Sequence, residues 1–384
     1  MSYFPHTLID AVPIVPGRTS TGVKVYLLKL LEGMSGEARS RITIVCTTSN
    51  ESIFKQFDNV RCLVIPWSVE NRLIRILTQQ CIVPALSITH NVDILFEPVD
   101  TAAILTPTPI VTSIHSSHIN MKENQMGWFR QQYNEGILRM TVRRSTRLIA
   151  ISKYVRSTLK DILDVNPDKM EVVYHGGGVA EQARRRGWTA DEERSGGILF
   201  VSTLYPHKNA DQLIRAYAQV QVRCSHVPPL TIIGGDTDGE SPTEERGTER
   251  RRLARLARRL GIEEKVHFPG RVSDTELLEF LATSRLMVFP SSLEGFGLPA
   301  LEAMQAGLPL VASNRTSVPE IVGEGGLVVD PDDINAMADA IEHALFDNEV
   351  RTRLIQAGKE RGKGFSWSKA AQETLSVIRT SFYT

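Results

Sequence analysis

The feature of this chain that most limits its fold is an alternation that runs almost from end to end. Short apolar runs such as TLIDAVPIV (7–15), RITIVCTT (41–48), DILFEP (93–98) and PIVTSIH (109–115) take turns with longer amphipathic stretches such as VKVYLLKLLEGM (23–34) and RLIAISKYVRSTLKDIL (147–163). Apolar strands separated by helices predict parallel sheets with crossover helices. The pattern breaks at EQARRRGWTADEERSGG (181–197), which is polar and aperiodic. It then restarts with GILFVSTL (197–204), NADQLIRAYAQV (209–220), PLTIIGG (229–235), KVHFPGRV (265–272), RLMVFP (285–290) and LPLVAS (308–313). The economical reading is an α/β chain of two Rossmann-like, doubly wound domains in series, joined by a linker within 180–197. FSWSKAAQETLSVIRTSF (365–382) reads as a closing helix that packs back toward the first domain. The length of 384 residues suits two domains of roughly 150–200 residues each.

Composition excludes several classes of function. Lys plus Arg equals Asp plus Glu at 44 each, so no global field recruits nucleic acid. No apolar run nears the roughly 18 residues of a spanning helix, and MSYFPHTLID does not read as a signal peptide. The expectation is a soluble cytoplasmic protein. Cys46, Cys62, Cys81 and Cys224 lack metal-binding spacing and sit mostly in apolar text, so they read as reduced, buried thiols. The basic run TERRRLARLARRL (248–260) reads as a solvated helix face or, at most, a patch for an anionic acceptor or membrane surface.

Doubly wound sheets bind ligands beyond the carboxyl ends of their strands, which directs attention to the loops there. In SSLEGFGLPALEAMQAGLP (291–309) a strand is followed by a glycine loop and a helix, with Pro299 at its start and Gly307 and Pro309 at its end. A glycine loop opening a helix attracts an anion. Glu294 on the loop and Glu302 in the first helical turn would repel that anion unless they hold something else, such as sugar hydroxyls. The alternative is a dipole-complementing Glu302 and a solvated Glu294. Lys208 immediately precedes Asn209, which with Gln212 reads as a capping-box-like helix start, and His207 stands beside it. His115 follows directly on a strand, where a structural role and a functional one are both open. Gly22, near the start of the first amphipathic helix, would admit a phosphate or an acceptor hydroxyl. The backbone around Arg271 and Val272, in VHFPGRV, could meet a nucleobase edge.

These segments together resemble the retaining glycosyltransferases of family 4, which have the GT-B fold. EGFGLPALE (294–302) matches that family's two acids with seven residues between. VSTLYPHKN (201–209), IHSS (114–117) and NPDKMEVVYHGGG (166–178) resemble its phosphate segment, its histidine turn and the close of its first domain. The resemblance implies two domains facing each other across a crevice, residues 1–182 binding the acceptor and 183–365 the nucleotide sugar, with 366–384 returning to the first. Glu294, His115 and Lys208 would be catalytic, contacting the transferred sugar or neutralising the diphosphate. Glu302 would bind the ribose, with Gly295, Phe296, Gly297, Leu298, Gly22, His207, Arg271 and Val272 around the donor. The family often carries an arginine shortly before the lysine; here Thr203 and His207 occupy that region, and Ser116 stands where an aspartate is usual.

The expected activity is retaining, metal-independent transfer of a hexose, mannose from GDP-mannose being favoured, to a glycan or lipid-linked acceptor. Arg139, Arg143, Arg144 and Arg147 are the residues expected to meet that acceptor, and a peripheral contact with the inner face of a membrane is compatible. No metal site and no nucleic-acid partner are expected. The alternatives are a non-catalytic nucleotide-sugar binder or scaffold, and a transferase using a UDP-hexose.

Overall fold

The structure is a computed structural model that describes residues 4–15, 21–115, 128–181, 194–235 and 248–383. The chain divides into two compact units, Met1–Gly176 with Trp367–Thr384, and Gly177–Ser366. Most of the stretch read as a linker, residues 182–193, lies outside the described residues, as does Gly17.

The first unit holds seven parallel strands: β1 (Thr7–Asp10), β2 (Ile42–Thr47), β3 (Arg61–Ile65), β4 (Ile94–Glu97), β5 (Ile110–Ile114), β6 (Arg147–Ala150) and β7 (Met170–Val172). Their order is β3-β2-β1-β4-β5-β6-β7, with Ile9 in register with Ile44 on one side and Phe96 on the other. Central strands are buried along their whole length, as parallel strands covered on both faces must be. Helix Thr21–Gly33 and the closing helix Trp367–Phe382 cover one face, where Tyr26, Leu27, Leu30 and Leu31 pack with Trp367, Ala370, Ala371 and Ile378. The two helices approach so closely that a Cβ on Gly33 would lie 2.5 Å from the Trp367 carbonyl oxygen.

The second unit holds six parallel strands: β8 (Ile198–Val201), β9 (Leu230–Ile233), β10 (Val266–Gly270), β11 (Leu286–Phe289), β12 (Leu310–Ser313) and β13 (Leu327–Val329). Their order, β10-β9-β8-β11-β12-β13, repeats the plan of the first sheet. Pro269 is tolerated because β10 is an edge strand. Helices Ala210–Arg223 and Ile334–Phe346 contribute Leu213, Ile214, Tyr217, Met337 and Ile341 to one core. The Arg-rich helix Thr248–Arg259 buries Leu253, Leu256 and Ala257 and leaves Arg251, Arg255, Arg258 and Arg259 exposed. Among the described residues, no helix is long and apolar enough to cross a membrane. The cysteines are all free, but only Cys46 is buried; Cys81, on a helical turn, is exposed, because apolar neighbours in sequence do not face the same way on a helix.

In the first sheet the strand order reverses between β1 and β4, and each ends in a fully buried acid, Asp10 and Glu97. Gln79 seals the pair: its amide donates to Asp10 Oδ2 at 2.9 Å and reaches Glu97 Oε2 at 3.4 Å. Val12 N–H donates to Asp10 and Ala103 N–H to Glu97. Burial pushes Asp10 up to about 6, against these hydrogen bonds. Burial, then the charge of Asp10, holds Glu97 well above the usual carboxylate range. Both groups take up protons on folding, so their stabilising contribution is complete below pH ~4 and is lost as pH rises through about 6 and beyond. Glu97→Gln should therefore raise stability at pH 8 by about 1–3 kcal/mol and change it little at pH 5. Thermal unfolding across that range checks this, and a profile parallel to that of the wild type would contradict it.

Candidate active site

In the second unit the strand order reverses between β8 and β11, which pair in parallel with Leu286 beside Ile198. The loops after both strands therefore leave the sheet side by side. They are laced together: Ser292 donates to the His207 carbonyl from its N–H at 2.8 Å and its Oγ at 3.1 Å, and Asn209 Nδ2 donates to the Pro290 carbonyl at 2.9 Å. This corrects the capping-box reading. Asn209 sits in the left-handed region at φ 55° and makes no side-chain cap, because its amide ties the two loops instead.

That lacing brings Lys208 Nζ to 2.6 Å from Glu294 Oε1, with both side chains mostly buried. Glu294 is held from a third loop, since its N–H donates to Thr316 Oγ1 and its carbonyl accepts from Ser317 Oγ. Gly297 precedes helix Leu298–Gln305 at φ +98°, a conformation a glycine adopts without strain. The helix begins at Leu298, so Glu302 falls in its second turn rather than its first. Glu302 Oε1 accepts the Val179 N–H at 3.0 Å. Burial pushes this carboxyl up to about 7, opposed by the Val179 hydrogen bond and assisted by the charge of Asp274.

The other expected donor residues take distinct places. The Phe296 ring is buried against Phe365, 6.0 Å between centroids, so it packs the core beneath the loop. Gly295 and Leu298 are half-buried, and the His207 ring stacks on Tyr205. Arg271 is exposed and Val272 half-buried just beyond β10, where the Arg271 side chain lies over Gly235. Gly235 in turn accepts the Leu204 N–H from the loop after β8.

His115 and Gly22 belong to the first unit. His115 follows β5, and its N–H donates to Asp100 Oδ1 at 2.6 Å. Its ring meets Tyr26 edge-on at 4.5 Å and lies 5.5 Å from His175, with Nε2 enclosed there and without a hydrogen-bond partner among the described residues. Burial lowers its pKa, against the charge of Asp100 and a hydrogen bond to the Pro98 carbonyl. Gly22 is exposed, and a Cβ there would meet nothing within 4 Å. Two of the expected acceptor arginines are used elsewhere: Arg144 donates to the Thr106 and Thr108 carbonyls and Arg147 to that of Asp168. Arg139 pairs with Glu135, whereas Arg143 is exposed. Ser116 lies outside the described residues. Among the described residues no cluster of three or more His, Cys, Asp or Glu could hold a metal ion.

Two family models match most of the chain between them, Glycosyltransferase Family 4 over residues 20–176 and Glycosyl transferases group 1 over 185–361. The chain has the GT-B fold of glycosyltransferases. O-antigen chain mannosyltransferase B of Escherichia coli is 36% identical over 184 residues, 48% of this chain and 46% of that protein. D-inositol 3-phosphate glycosyltransferase of Frankia alni is 32% identical over 253 residues, 61% of this chain and 59% of that one. The chain thus spans about half the length of the curated relatives it matches. Among solved structures, HepE of Anabaena in complex with UDP superposes with a TM-score of 0.73 at 18% identity, covering 97% of this chain and 99% of the other.

Within this GT-B chain, sequence reasoning missed Asp100, His175, Gly178 and Val179 around the nominated residues. The run HGGG (175–178) straight after a strand was a usable signal, since three successive glycines imply close approach of the backbone to something. The Lys208–Glu294 pair yields a test without ligand. Lys208→Met leaves a mostly buried carboxylate unpaired and should destabilise the protein by about 2–4 kcal/mol. Lys208→Met/Glu294→Gln should recover most of that in thermal unfolding. Strictly additive losses would show that the two side chains do not act on each other.

Proposed function

We propose that this protein transfers a hexose, with retention, from a nucleotide-diphosphate sugar to a glycan or lipid-linked acceptor, without needing a metal ion. The observation that supports this best is the Lys208–Glu294 pair at the reversal between β8 and β11, beside the glycine-capped start of helix Leu298–Gln305. An ammonium has three donors, so Lys208 can keep Glu294 while meeting a diphosphate oxygen. In this reading the helix start and Lys208 stabilise charge that grows on the departing diphosphate. Glu294 orients the transferred sugar, and Glu302 accepts hydrogen bonds from the ribose. The sugar C1–O bond to phosphate breaks as the acceptor oxygen attacks the same face. The acceptor proton passes to the departing phosphate, so no protein base is required.

Mannose from GDP-mannose is the favoured donor, because one relative is a named O-antigen mannosyltransferase. A UDP-hexose is the second reading, because a structural neighbour was solved with UDP. Calorimetry with GDP and UDP in EDTA, and donor hydrolysis followed by mass spectrometry, separate these. Loss of all nucleotide binding on chelation would refute metal independence, and an inverted anomer in the NMR spectrum of the product would refute retention.

The two acids should behave differently. A ribose contact persists from ground state to transition state, so Glu302→Ala should raise donor KM roughly 10-fold or more with a smaller change in kcat. Glu294→Ala should lower kcat by about 100-fold with little change in KM. Steady-state kinetics with the reverse pattern would overturn the assignment.

A further inference from the structure

The HGGG run at 175–178 is where the chain passes from the first unit to the second. Each glycine is pressed on a different group. A Cβ on Gly176 would lie 2.2 Å from the Trp367 nitrogen, one on Gly177 1.6 Å from Gln305 Oε1, and one on Gly178 1.6 Å from Glu302 Oε1. Glu302 and Gln305 are three residues apart and share one face of helix Leu298–Gln305, so residues 177–179 run along that face. The backbone is anchored there. Gly177 N–H donates to Glu181 Oε2 at 2.8 Å and Val179 N–H to Glu302 Oε1 at 3.0 Å. From below, Gln305 Nε2 holds the Gly362 and Phe365 carbonyls at 3.1 and 3.2 Å.

We propose that Gly178 and the Val179 amide form a backbone seat that positions the Glu302 carboxylate for the donor, the glycine by leaving room and the amide by fixing one oxygen. This rests on the reading of Glu302 as a donor contact. A glutamate side chain turns about three bonds, and holding it still before the ligand arrives removes part of the entropy lost on binding. With Oε1 fixed on Val179, Oε2, which accepts no hydrogen bond among the described residues, is the oxygen available to a hydroxyl. The amide has a second effect. It favours the charged carboxylate against the burial that raises its pKa, and a charged acceptor makes the stronger hydrogen bond. Gly178 and Val179 are thus positioning residues that act through Glu302.

The geometry supplies its own test. The atom blocking a Cβ on Gly178 is the free end of a flexible side chain, so Gly178→Ala should fold and displace the carboxylate. Val179→Pro removes the donor and sets its Cδ where the N–H pointed, so Oε1 loses its hydrogen bond and must move off the backbone, and proline suits the first residue of the helical turn that begins at 179. Calorimetry with GDP and with UDP would compare Gly178→Ala, Glu302→Ala and the double variant. Gly178→Ala should weaken binding of the tighter nucleotide about 10-fold or more, close to Glu302→Ala, and the double variant should lose nothing further. Wild-type affinity in Gly178→Ala, or losses that add, would overturn the proposal. Carboxyl carbon NMR of the ligand-free protein, assigned through Glu302→Gln, gives a second readout: Val179→Pro should move the Glu302 midpoint upward from about 7. An unmoved midpoint would overturn the seat. If Glu302→Ala binds nucleotide as tightly as wild type, the donor reading falls by itself, and the NMR midpoint still decides whether the seat exists.

Discussion

The parallel pairing of β8 with β11 is the constraint on which the rest of the site depends. Parallel neighbours need long crossovers, and where the strand order reverses, the chain leaves the two strands toward opposite sides of the sheet. Two loops that are remote in sequence are then forced together, and the hydrogen bonds from Ser292 to the His207 carbonyl and from Asn209 to the Pro290 carbonyl convert proximity into a fixed arrangement. Only after that do Lys208 and Glu294, 86 residues apart, come within 2.6 Å.

The two sheets use the same reversal for opposite chemistry. In the first unit the acids stand on the strand ends themselves, sealed by Gln79 and fully buried, and the pair retains a proton because two charges cannot share so dry a site. In the second unit the acids stand beyond the strands, one facing a lysine and one facing a backbone amide. Glu294 and Glu302 are eight residues apart and differ in what neutralises them. In the proposed function that difference lets Glu294 hold a cation while Glu302 offers an acceptor oxygen.

Much of this was legible before any coordinates. Alternating apolar and amphipathic runs predict doubly wound sheets because a strand covered on both faces has no polar side to display. Gly297, Pro299 and Gly307 mark the limits of the helix that carries Glu302 because each fits a backbone conformation or a missing donor that few other residues fit. Side-chain destinations were less legible. Asn209 has the composition of a cap, yet its amide reaches across to Pro290. Arg144 and Arg147 read as free cations but donate to backbone carbonyls, Phe296 faces the core, and Cys81 faces solvent.

By itself the sequence determined the class of fold, the glycine loops and the residue types available at the strand ends, since these follow from side-chain period and from conformational limits within a few residues. The tertiary structure decided which of those residues meet. Lys208 finds Glu294 across 86 residues, and Val179 finds Glu302 across 123. Such pairings depend on strand order and on how closely a backbone can approach a helix. Those properties belong to the packed sheet as a whole and leave no periodic trace in the chain.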